Sequence, residues 1–370
     1  MPSPNAGLIG KQGSLREIMT PALVLDLDAF ERNVRRYQQI VDLHKLQARP
    51  HAKSHKCAEI ARRQMAAGAV GICTATLHEA EALAARGTSN ILITSPIVGQ
   101  GKQDRLLALL EQGITLTIVA DHPEQIPSSA SEHTLHVLVD VDLGMGRTGT
   151  RDAESALRLV DTISNTRGLS WQGLQAYSGQ VQHIADLNER SKVYTDQLRS
   201  LADLIMALDK RGLKPATVSG GGTGTLAIDC REGILTEHQA GSYIFMDVEY
   251  NAVALGVQAA FETSLFVYST VISSNVPGQA TLDAGLKSFA TDGPLPRIRD
   301  GAPSGTTYAF FGDEHGRLAF PDADHRLPPG SLVALETPHC DPTVNLHDYL
   351  HIAQNGALVD IWKIDARGSC

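Results

Sequence analysis

The chain has 370 residues, of which 42% are hydrophobic and 20% are charged, and its formal net charge is −9. This composition is ordinary for a globular protein, and the length predicts one large domain with a smaller one. The acidic balance argues against a nucleic-acid-binding protein, which needs a basic surface, and because no apolar run of about 18 residues is present we expect no membrane-spanning helix.

Strand and helix patterns alternate from about residue 20. The helix after the first strand has apolar residues from Phe30 to Val41 at helical spacing. Thr76 and Glu79 form a capping box that predicts the start of another helix. Eight short apolar strands separated by helices predict a closed (β/α)8 TIM-type barrel, with an open doubly wound sheet as the alternative. The predicted strands are residues 22–25, 46–49, 71–73, 91–94, 116–119, 137–141, 173–176 and 216–219.

The pattern changes after residue 255. Residues 261–271 alternate and are rich in β-forming side chains, and short strand patterns with Gly/Pro turns continue to the C-terminus. We therefore predict a barrel domain over residues 18–255. A smaller β domain is predicted over residues 256–370, together with the N-terminal residues 1–17.

Lys53 lies in the segment RPHAKSHK, residues 49–56, where a predicted strand ends and a helix begins. On residue type alone, a surface lysine in a basic loop is the simpler interpretation. In a β/α barrel, however, catalytic groups lie at the carboxyl ends of the strands. A lysine at such a position can carry a cofactor as a Schiff base.

A glycine-rich loop, SGGGTG at residues 219–224, follows the last predicted barrel strand. Glycines let backbone N–H groups converge on an anion, and barrels commonly bind phosphate at the loops after strands seven and eight. Residues 241–243, Gly-Ser-Tyr, supply further N–H and hydroxyl donors. The alternative is a flexible turn, and the spacing fits neither a Walker loop nor GxGxxG.

Two other loops at predicted strand ends carry polar side chains suited to a ligand. Arg147, in DLGMGRTG, can donate two hydrogen bonds to an oxygen-bearing ligand. Tyr177, in QAYSGQVQH, can stack on a ring, and His183 can exchange a proton near neutral pH. A solvated arginine, a packed tyrosine and a surface histidine are the structural alternatives.

His339 and Asp341 lie near the C-terminus in HCDPTVNLHD. In an extended segment, residues i and i+2 point the same way, so the two side chains would converge while Cys340 points away. A nitrogen and a carboxylate suit a divalent metal that keeps several waters. On spacing alone, a structural role is the stronger interpretation.

Together, these segments resemble the D-threonine aldolase and D-serine dehydratase family of fold-type III pyridoxal phosphate (PLP) enzymes, relatives of alanine racemase. The resemblance covers nearly the whole chain. It is specific for the family and less specific for the member. The segments that carry it, in chain order, are RPHAKSHK, DLGMGRTG, QAYSGQVQH, SGGGTGT, QAGSYIFMD, LDAGLKS, DEHG and HCDPTVNLHD.

The resemblance implies a role for each candidate residue. Lys53 would carry PLP, with Arg147 near its phenolic oxygen and Tyr177 near its ring or the substrate. His183 is our candidate for the base that acts near the substrate hydroxyl. The phosphate would be held by Gly222, Thr223, Ser242 and Tyr243, and the metal by His339 and Asp341. Mn²⁺ is the expected metal, with Mg²⁺, Co²⁺ and Zn²⁺ as alternatives.

The metal pair also indicates the reaction. As the family is understood, dehydratases tend to carry His-x-Cys and aldolases His-x-Asp, so His339 and Asp341 favour retro-aldol cleavage of D-3-hydroxy amino acids, with D-threonine giving glycine and acetaldehyde. The segment 74–76, Thr-Ala-Thr, is closer to the dehydratase branch. The cysteine beside the metal pair, Cys340, resembles the pattern of the 3-hydroxy-D-aspartate aldolases. A dehydratase of D-serine or D-threo-3-hydroxyaspartate is therefore the second interpretation.

An amino-acid racemase and a non-catalytic PLP carrier are weaker alternatives, because the first needs no metal pair and the second lacks a β domain. The resemblance also implies a homodimer. Residues 1–16 lack the apolar core of a signal peptide, and the five cysteines form no CxxC pair. We therefore expect a reduced, cytoplasmic protein.

Overall fold

A computed structural model describes residues 2–130, 133–256 and 260–368. The strands are β1 (Ala22–Asp26), β2 (Gln47–Ala48), β3 (Ile72–Thr74), β4 (Asn90–Ile93), β5 (Thr115–Ala120), β6 (Leu135–Asp140), β7 (Leu169–Ala176), β8 (Thr217–Gly220), β9 (Glu237–His238), β10 (Leu265–Ser273), β11 (Gln279–Leu282), β12 (Arg297–Asp300), β13 (Thr307–Phe310), β14 (Gly316–Ala319), β15 (Leu332–Glu336), β16 (Tyr349–Gln354) and β17 (Ala357–Lys363). The helices are α1 (Leu27–Leu43), α2 (Ala58–Ala66), α3 (Leu77–Ala84), α4 (Gln100–Leu110), α5 (Ala153–Ser164), α6 (Leu187–Asp209), α7 (Leu226–Glu232), α8 (Val248–Asn251) and α9 (Cys340–Asn345).

Eight parallel strands form a barrel sheet in the order β2-β9-β8-β7-β6-β5-β4-β3. The sheet closes where β2 continues towards β3. His51 bridges Cys73, and the Cys73 N–H donates to the carbonyl of Pro50 at 2.8 Å. The predicted (β/α)8 barrel is therefore confirmed, and the open-sheet alternative is wrong.

The first predicted barrel strand is wrong, because residues 22–25 belong to the other sheet. There β1 pairs antiparallel with β10 and parallel with β16. The eighth barrel strand is β9, which the sequence analysis missed. It has only two residues, both polar, and Glu237 is buried because it accepts a hydrogen bond from the Arg49 guanidinium at 2.7 Å. A search for apolar runs does not find such a strand.

The second sheet runs in the order β13-β14-β11-β10-β1-β16-β17, and β15 joins it by pairing with β10 and β12. Every pair in it is antiparallel except β1 with β16. This confirms a β domain after the barrel. The predicted boundary after residue 255 falls beside residues 257–259, which lie outside the described residues, so its position stays a prediction.

The helices that cover the barrel follow from local sequence. Asp26 caps α1 by accepting from the Ala29 N–H at 3.0 Å, and the buried face of α1 includes Phe30 and Val34, as their spacing predicts. The predicted capping box of Thr76 and Glu79 opens α3. These caps fix where each helix starts, so the loops at the carboxyl ends of the strands are held in place.

Candidate active site

A cavity of about 410 Å³ opens at the carboxyl ends of the barrel strands. Lys53, Arg147 and Tyr177 line it, from the loops after β2, β6 and β7. These three residues are far apart in sequence, and parallel strands bring them to one end of the barrel. The predicted convergence of these three strand-end side chains is present in the structure.

Lys53 lies in a short 3₁₀ turn, Ala52–Ser54, that His51 caps. The Lys53 backbone N–H donates to His51 Nδ1 at 3.3 Å, and His51 Nε2 lies 3.0 Å from the Thr94 hydroxyl. Burial and the charge of Lys53 lower the pKa of His51 to about 3. His51 is therefore a neutral residue that fixes the backbone from which Lys53 extends.

The Lys53 ammonium forms an ion pair with Asp341, at 2.9 Å between Nζ and Oδ2. The negative charge of Asp341 raises the pKa of Lys53. Burial alone would raise the pKa of Asp341, but the charge and hydrogen bond of Lys53 hold it well below its usual range. The first candidate residue for the cofactor and one candidate metal ligand are thus direct neighbours.

Arg147 and Tyr177 interact with each other at the edge of the cavity. The Arg147 guanidinium carbon lies 5.8 Å from the centre of the Tyr177 ring, a cation–π distance. Arg147 is exposed and Tyr177 half-buried. The contact orients both side chains without using the guanidinium hydrogens, which remain able to donate to an oxygen.

The glycine-rich loop has the features of an anion site. Thr223 and Ser242 are buried, and among the hydrogen bonds of the described residues neither backbone N–H has a partner. The Thr223 hydroxyl accepts from the Tyr243 N–H at 3.1 Å, so its own hydrogen is available to a ligand. Buried donors without a partner are costly, and a phosphate group would satisfy them.

Space in this loop also requires glycine. A side-chain carbon at Gly222 would lie 2.6 Å from Gln182 Oε1. That same oxygen accepts from the Gly224 N–H at 2.9 Å. At Gly221, where φ is +71°, a side chain would meet Asp229 and His238.

The Tyr243 ring does not line the cavity. It stacks on Tyr37 with ring centroids 4.1 Å apart, and its hydroxyl accepts from the Gln64 amide at 3.1 Å. The part of Tyr243 that borders the loop is its backbone N–H, which bonds to Thr223. Its role in holding phosphate stays a prediction, and this placement favours an indirect role, in which the Tyr243 N–H orients the Thr223 hydroxyl.

His339 and Asp341 do not lie in an extended segment, contrary to the sequence-based expectation. His339 is the N-cap of α9, and Asp341 is in its first turn. The His339 Nδ1 lies 2.9 Å from Asp292 Oδ2, so that nitrogen carries the hydrogen and Nε2 is available to a metal. Burial opposes a charged ring, but Asp341 and Asp292 raise the pKa of His339.

The pair suits a hard or borderline divalent metal that completes its coordination with water. Within residues 2–130, 133–256 and 260–368, no group of three or more His, Cys, Asp or Glu side chains is arranged to hold a metal. The metal role of the pair therefore stays a prediction, which the donor types fit.

His183 faces two residues of α8. Its Nδ1 lies 3.3 Å from Glu249 Oε1, and its ring centre lies 4.7 Å from that of Tyr250. Burial lowers the pKa of His183, helped by the charges of His339 and Lys53 and opposed by Glu249. A neutral imidazole at this position can accept a proton.

Sequence reasoning missed several residues of this site, among them His51, Glu249 and Asp292. His51 stands within the segment that identified Lys53, so its position was a usable signal. The sequence carries no such signal for Glu249 and Asp292. Only the fold brings Glu249 to His183 and Asp292 to His339.

A strand-end lysine and a glycine-rich anion loop at the mouth of a β/α barrel define the class of PLP-binding barrel enzymes. Comparison of the chain with known protein families and structures supports this class. The family model "Alanine racemase, N-terminal domain" matches residues 25–249, and "Putative serine dehydratase domain" matches residues 264–353. The chain belongs to the alanine racemase N-terminal domain family, and it is a PLP-dependent lyase.

Similar proteins cover nearly the whole chain. It is 40% identical to a D-threonine aldolase of Arthrobacter sp., over 96% of this chain and 94% of that protein. It is 35% identical to a 3-hydroxy-D-aspartate aldolase of Paracoccus denitrificans, over 95% and 93%. The crystal structure of D-threonine aldolase from Filomicrobium marinum superposes with a TM-score of 0.91 at 37% identity, over 96% and 97%. The predicted family is confirmed.

Substituting Gly222 with alanine is expected to weaken PLP binding by ~10-fold or more, since one displaced donor to a charged group costs about 1.5–3 kcal/mol. The new methyl group would displace Gln182, which holds the Gly224 N–H. Spectroscopic titration of the cofactor-free protein with PLP measures the effect. Gly101→Ala, in α4, is the matched control because a side-chain carbon there would meet no atom within 4 Å, and equal affinity of both variants would contradict the prediction.

Proposed function

We propose that this enzyme is a PLP- and metal-dependent aldolase that cleaves D-3-hydroxy amino acids, converting D-threonine to glycine and acetaldehyde. The observation that carries the proposal is the His339 and Asp341 pair beside Lys53, with a carboxylate in contact with the lysine at 2.9 Å. The 40% identity to a D-threonine aldolase supports it. D-threonine, D-serine and D-3-hydroxyaspartate are small polar molecules, which the 410 Å³ cavity can hold.

The cofactor, PLP, withdraws electron density from a bond broken at the substrate Cα. Lys53 would bind it covalently, and Arg147 and Tyr177 would border its ring. Gly222, Thr223 and Ser242, with the backbone of Tyr243, would hold the phosphate. The phosphate assignment is supported by the Thr223 and Ser242 N–H groups, which have no partner among the hydrogen bonds of the described residues; the Gly222 N–H already donates to the Thr225 hydroxyl at 3.0 Å. The assignment of the PLP ring is supported by the cavity that Lys53 shares with Arg147 and Tyr177.

His339 and Asp341 would hold the divalent metal, Mn²⁺ in our proposal, whose Lewis acidity would lower the pKa of the substrate β-hydroxyl. Asp292 orients His339 through the 2.9 Å hydrogen bond to Nδ1. The metal pair would thus belong to the smaller β domain, and Lys53 to the barrel domain. The ion pair between Lys53 and Asp341 supports a single site at their junction.

His183 would accept the proton of the β-hydroxyl, directly or through a water. As that proton leaves, the C–O bond becomes the carbonyl of the aldehyde and the Cα–Cβ bond breaks. Its electron pair stays at Cα, which takes up a proton from solvent to give glycine, and His183 returns its proton to solvent. Glu249, 3.3 Å from His183 Nδ1, would stabilise the protonated imidazole that results.

Replacing His183 with alanine is expected to lower turnover of D-threonine by ~10²–10⁴-fold, the usual contribution of a general base. PLP absorbance and Mn²⁺ affinity should change little, because His183 is assigned to neither. The measurement is acetaldehyde release at saturating D-threonine. His325→Ala, at an exposed histidine of the β domain, is the control. Normal turnover by the His183 variant would refute this assignment.

Product analysis of the purified protein with Mn²⁺ and PLP tests the proposed reaction. D-threonine, D-serine and D-3-hydroxyaspartate are offered separately. Aldehyde and glycine indicate an aldolase, whereas keto acid and ammonia indicate a dehydratase. Formation of neither product from any substrate would refute the leading proposal.

A dehydratase remains the second candidate because of the 74–76 segment, Thr-Ala-Thr. The chain is also 28% identical to a D-threo-3-hydroxyaspartate dehydratase of Delftia sp., over 95% of this chain and 98% of that protein. A 3-hydroxy-D-aspartate aldolase is the alternative for substrate side chain, supported by the 35% identical relative.

We also propose that the enzyme is a cytoplasmic homodimer. The β domain exposes four large apolar side chains that are candidates for the contact between subunits, namely Leu286, Leu295, Phe311 and Leu346. Size-exclusion chromatography with light scattering measures the mass of the protein in solution and so tests the dimer. Separately, none of the helices in the described parts of the chain is of a length and apolarity that would span a membrane.

A further inference from the structure

We propose that Asp247 is a positioning residue that sets the distance between His183 and the metal pair. The inference rests on the proposed function. Asp247 lies in the segment QAGSYIFMD, and neither the cofactor nor the metal assignment uses it. Its side chain is fully buried at the start of α8.

The two carboxylate oxygens of Asp247 hold two different helices. Oδ1 accepts from the Tyr250 N–H at 2.8 Å, which caps α8. Oδ2 accepts from the Cys340 N–H, also at 2.8 Å, at the first residue of α9. One planar carboxylate therefore fixes the start of both helices relative to each other.

Helix α8 contacts the proposed base, and the start of α9 holds the proposed metal pair. From α8, Glu249 and Tyr250 contact the His183 ring. At the start of α9, His339 is the N-cap and Asp341 is in the first turn. A shift between these helices would change the position of the base relative to the metal ligands.

Backbone bonds around Asp247 join the same two segments. The Val248 N–H donates to the Thr337 carbonyl at 3.0 Å, and the Glu249 N–H donates to the Pro338 carbonyl at 3.3 Å. These bonds dock α8 on the chain that precedes His339. Asp247 makes the side-chain bond to α9 itself, so it fixes the direction in which α9 leaves this junction.

Two substitutions separate the positioning role from the capping role. Asp247→Asn and Asp247→Ser both keep an oxygen that can cap α8, since Asn and Ser are good N-cap residues. Both lose the acceptor for the Cys340 N–H, and in Asp247→Asn the amide hydrogens face that N–H. Because serine introduces no such repulsion, Asp247→Ser provides a test if Asp247→Asn does not fold.

The measurement is a titration of the PLP-loaded enzyme with Mn²⁺, in which electron paramagnetic resonance follows the free ion. The expected apparent Mn²⁺ affinity of both variants is ~10–100-fold weaker, the usual cost of losing a residue that orients metal ligands. At saturating Mn²⁺, kcat for D-threonine should still be lower by roughly 10-fold or more, with KM little changed, because His183 is displaced by a fraction of an ångström.

The control is Asp283→Asn in the second sheet. The Asp283 carboxylate accepts from the Thr270 N–H at 2.9 Å and from the Thr20 and Ser269 hydroxyls, at 2.6 and 2.7 Å. This variant should unfold at a lower temperature and keep wild-type Mn²⁺ affinity. An equal loss of Mn²⁺ affinity in Asp283→Asn would show that general destabilisation is the cause and would overturn the proposal.

Wild-type Mn²⁺ affinity and wild-type kcat in the Asp247 variants would also overturn it. The titration uses no substrate, so it is separate from the test of the reaction. A wild-type enzyme that binds Mn²⁺ but releases no aldehyde would refute the proposed function. The Mn²⁺ affinities of the Asp247 variants would then still decide the Asp247 inference. A wild-type enzyme that binds no Mn²⁺ would refute both.

Discussion

The Lys53→Ala variant is expected to lose covalent attachment of PLP and to cleave D-threonine ~10⁴-fold more slowly, or worse, as happens when one member of a catalytic unit is removed. Alanine has no amine that can form the Schiff base. In the cofactor-free protein, the loss of Lys53 would also leave the Asp341 carboxylate without its ion-pair partner. Loss of the covalent attachment is the effect that lowers activity.

Borohydride reduction followed by mass spectrometry of the peptides measures the attachment. Wild-type protein should carry the reduced cofactor on the peptide that contains Lys53. Lys102→Met is the control, because Lys102 is an exposed lysine of α4. This control should still be labelled at Lys53. Full labelling of Lys53→Ala protein would contradict the assignment.

The Asp341→Asn variant is expected to bind Mn²⁺ more than ~100-fold more weakly, because a direct ligand matters more than the residues that orient it. Aldehyde release should fall with it, since the hydroxyl would lose the Lewis acid that lowers its pKa. In the cofactor-free protein, the pKa of Lys53 should also fall, because the charge of Asp341 is the main cause of its rise. Mn²⁺ titration and a coupled assay for acetaldehyde measure the first two effects.

Asp292→Asn provides a graded comparison for Asp341→Asn. Asp292 contacts His339 Nδ1 but is not a candidate ligand. The amide oxygen of asparagine can still accept from that nitrogen, so we expect a smaller loss of Mn²⁺ affinity, of ~10-fold. If Asp341→Asn lost no more affinity than Asp292→Asn, the assignment of Asp341 as a ligand would be wrong.

The barrel was predictable from sequence because its central strands are short apolar runs between amphipathic helices. Residues 91–94 and 137–141 are examples that the structure places in β4 and β6. The same rule misplaced residues 22–25, which have the same apolar pattern but pair with β10 and β16. Apolar periodicity reports burial, and it does not report which sheet a strand joins.

The candidate site was predictable where a residue type and a strand end coincided, as for Lys53 and Arg147. It was not predictable where a contact depends on three-dimensional arrangement alone. The carboxylate of Glu249 beside His183 and the stacking of Tyr243 on Tyr37 are of this kind. The helix at His339 was missed because its six residues are too few to show a period.

The pairing of β1 has a consequence for biosynthesis. This apolar strand is synthesised well before both of its neighbours, β10 and β16, which follow the whole barrel in chain order. Long-range pairings of this kind form late and leave unpaired strand edges exposed in the meantime. The nascent polypeptide therefore exposes an unpaired apolar strand until β10 and β16 have been synthesised. Residues 22–26 are where we expect a chaperone to bind it.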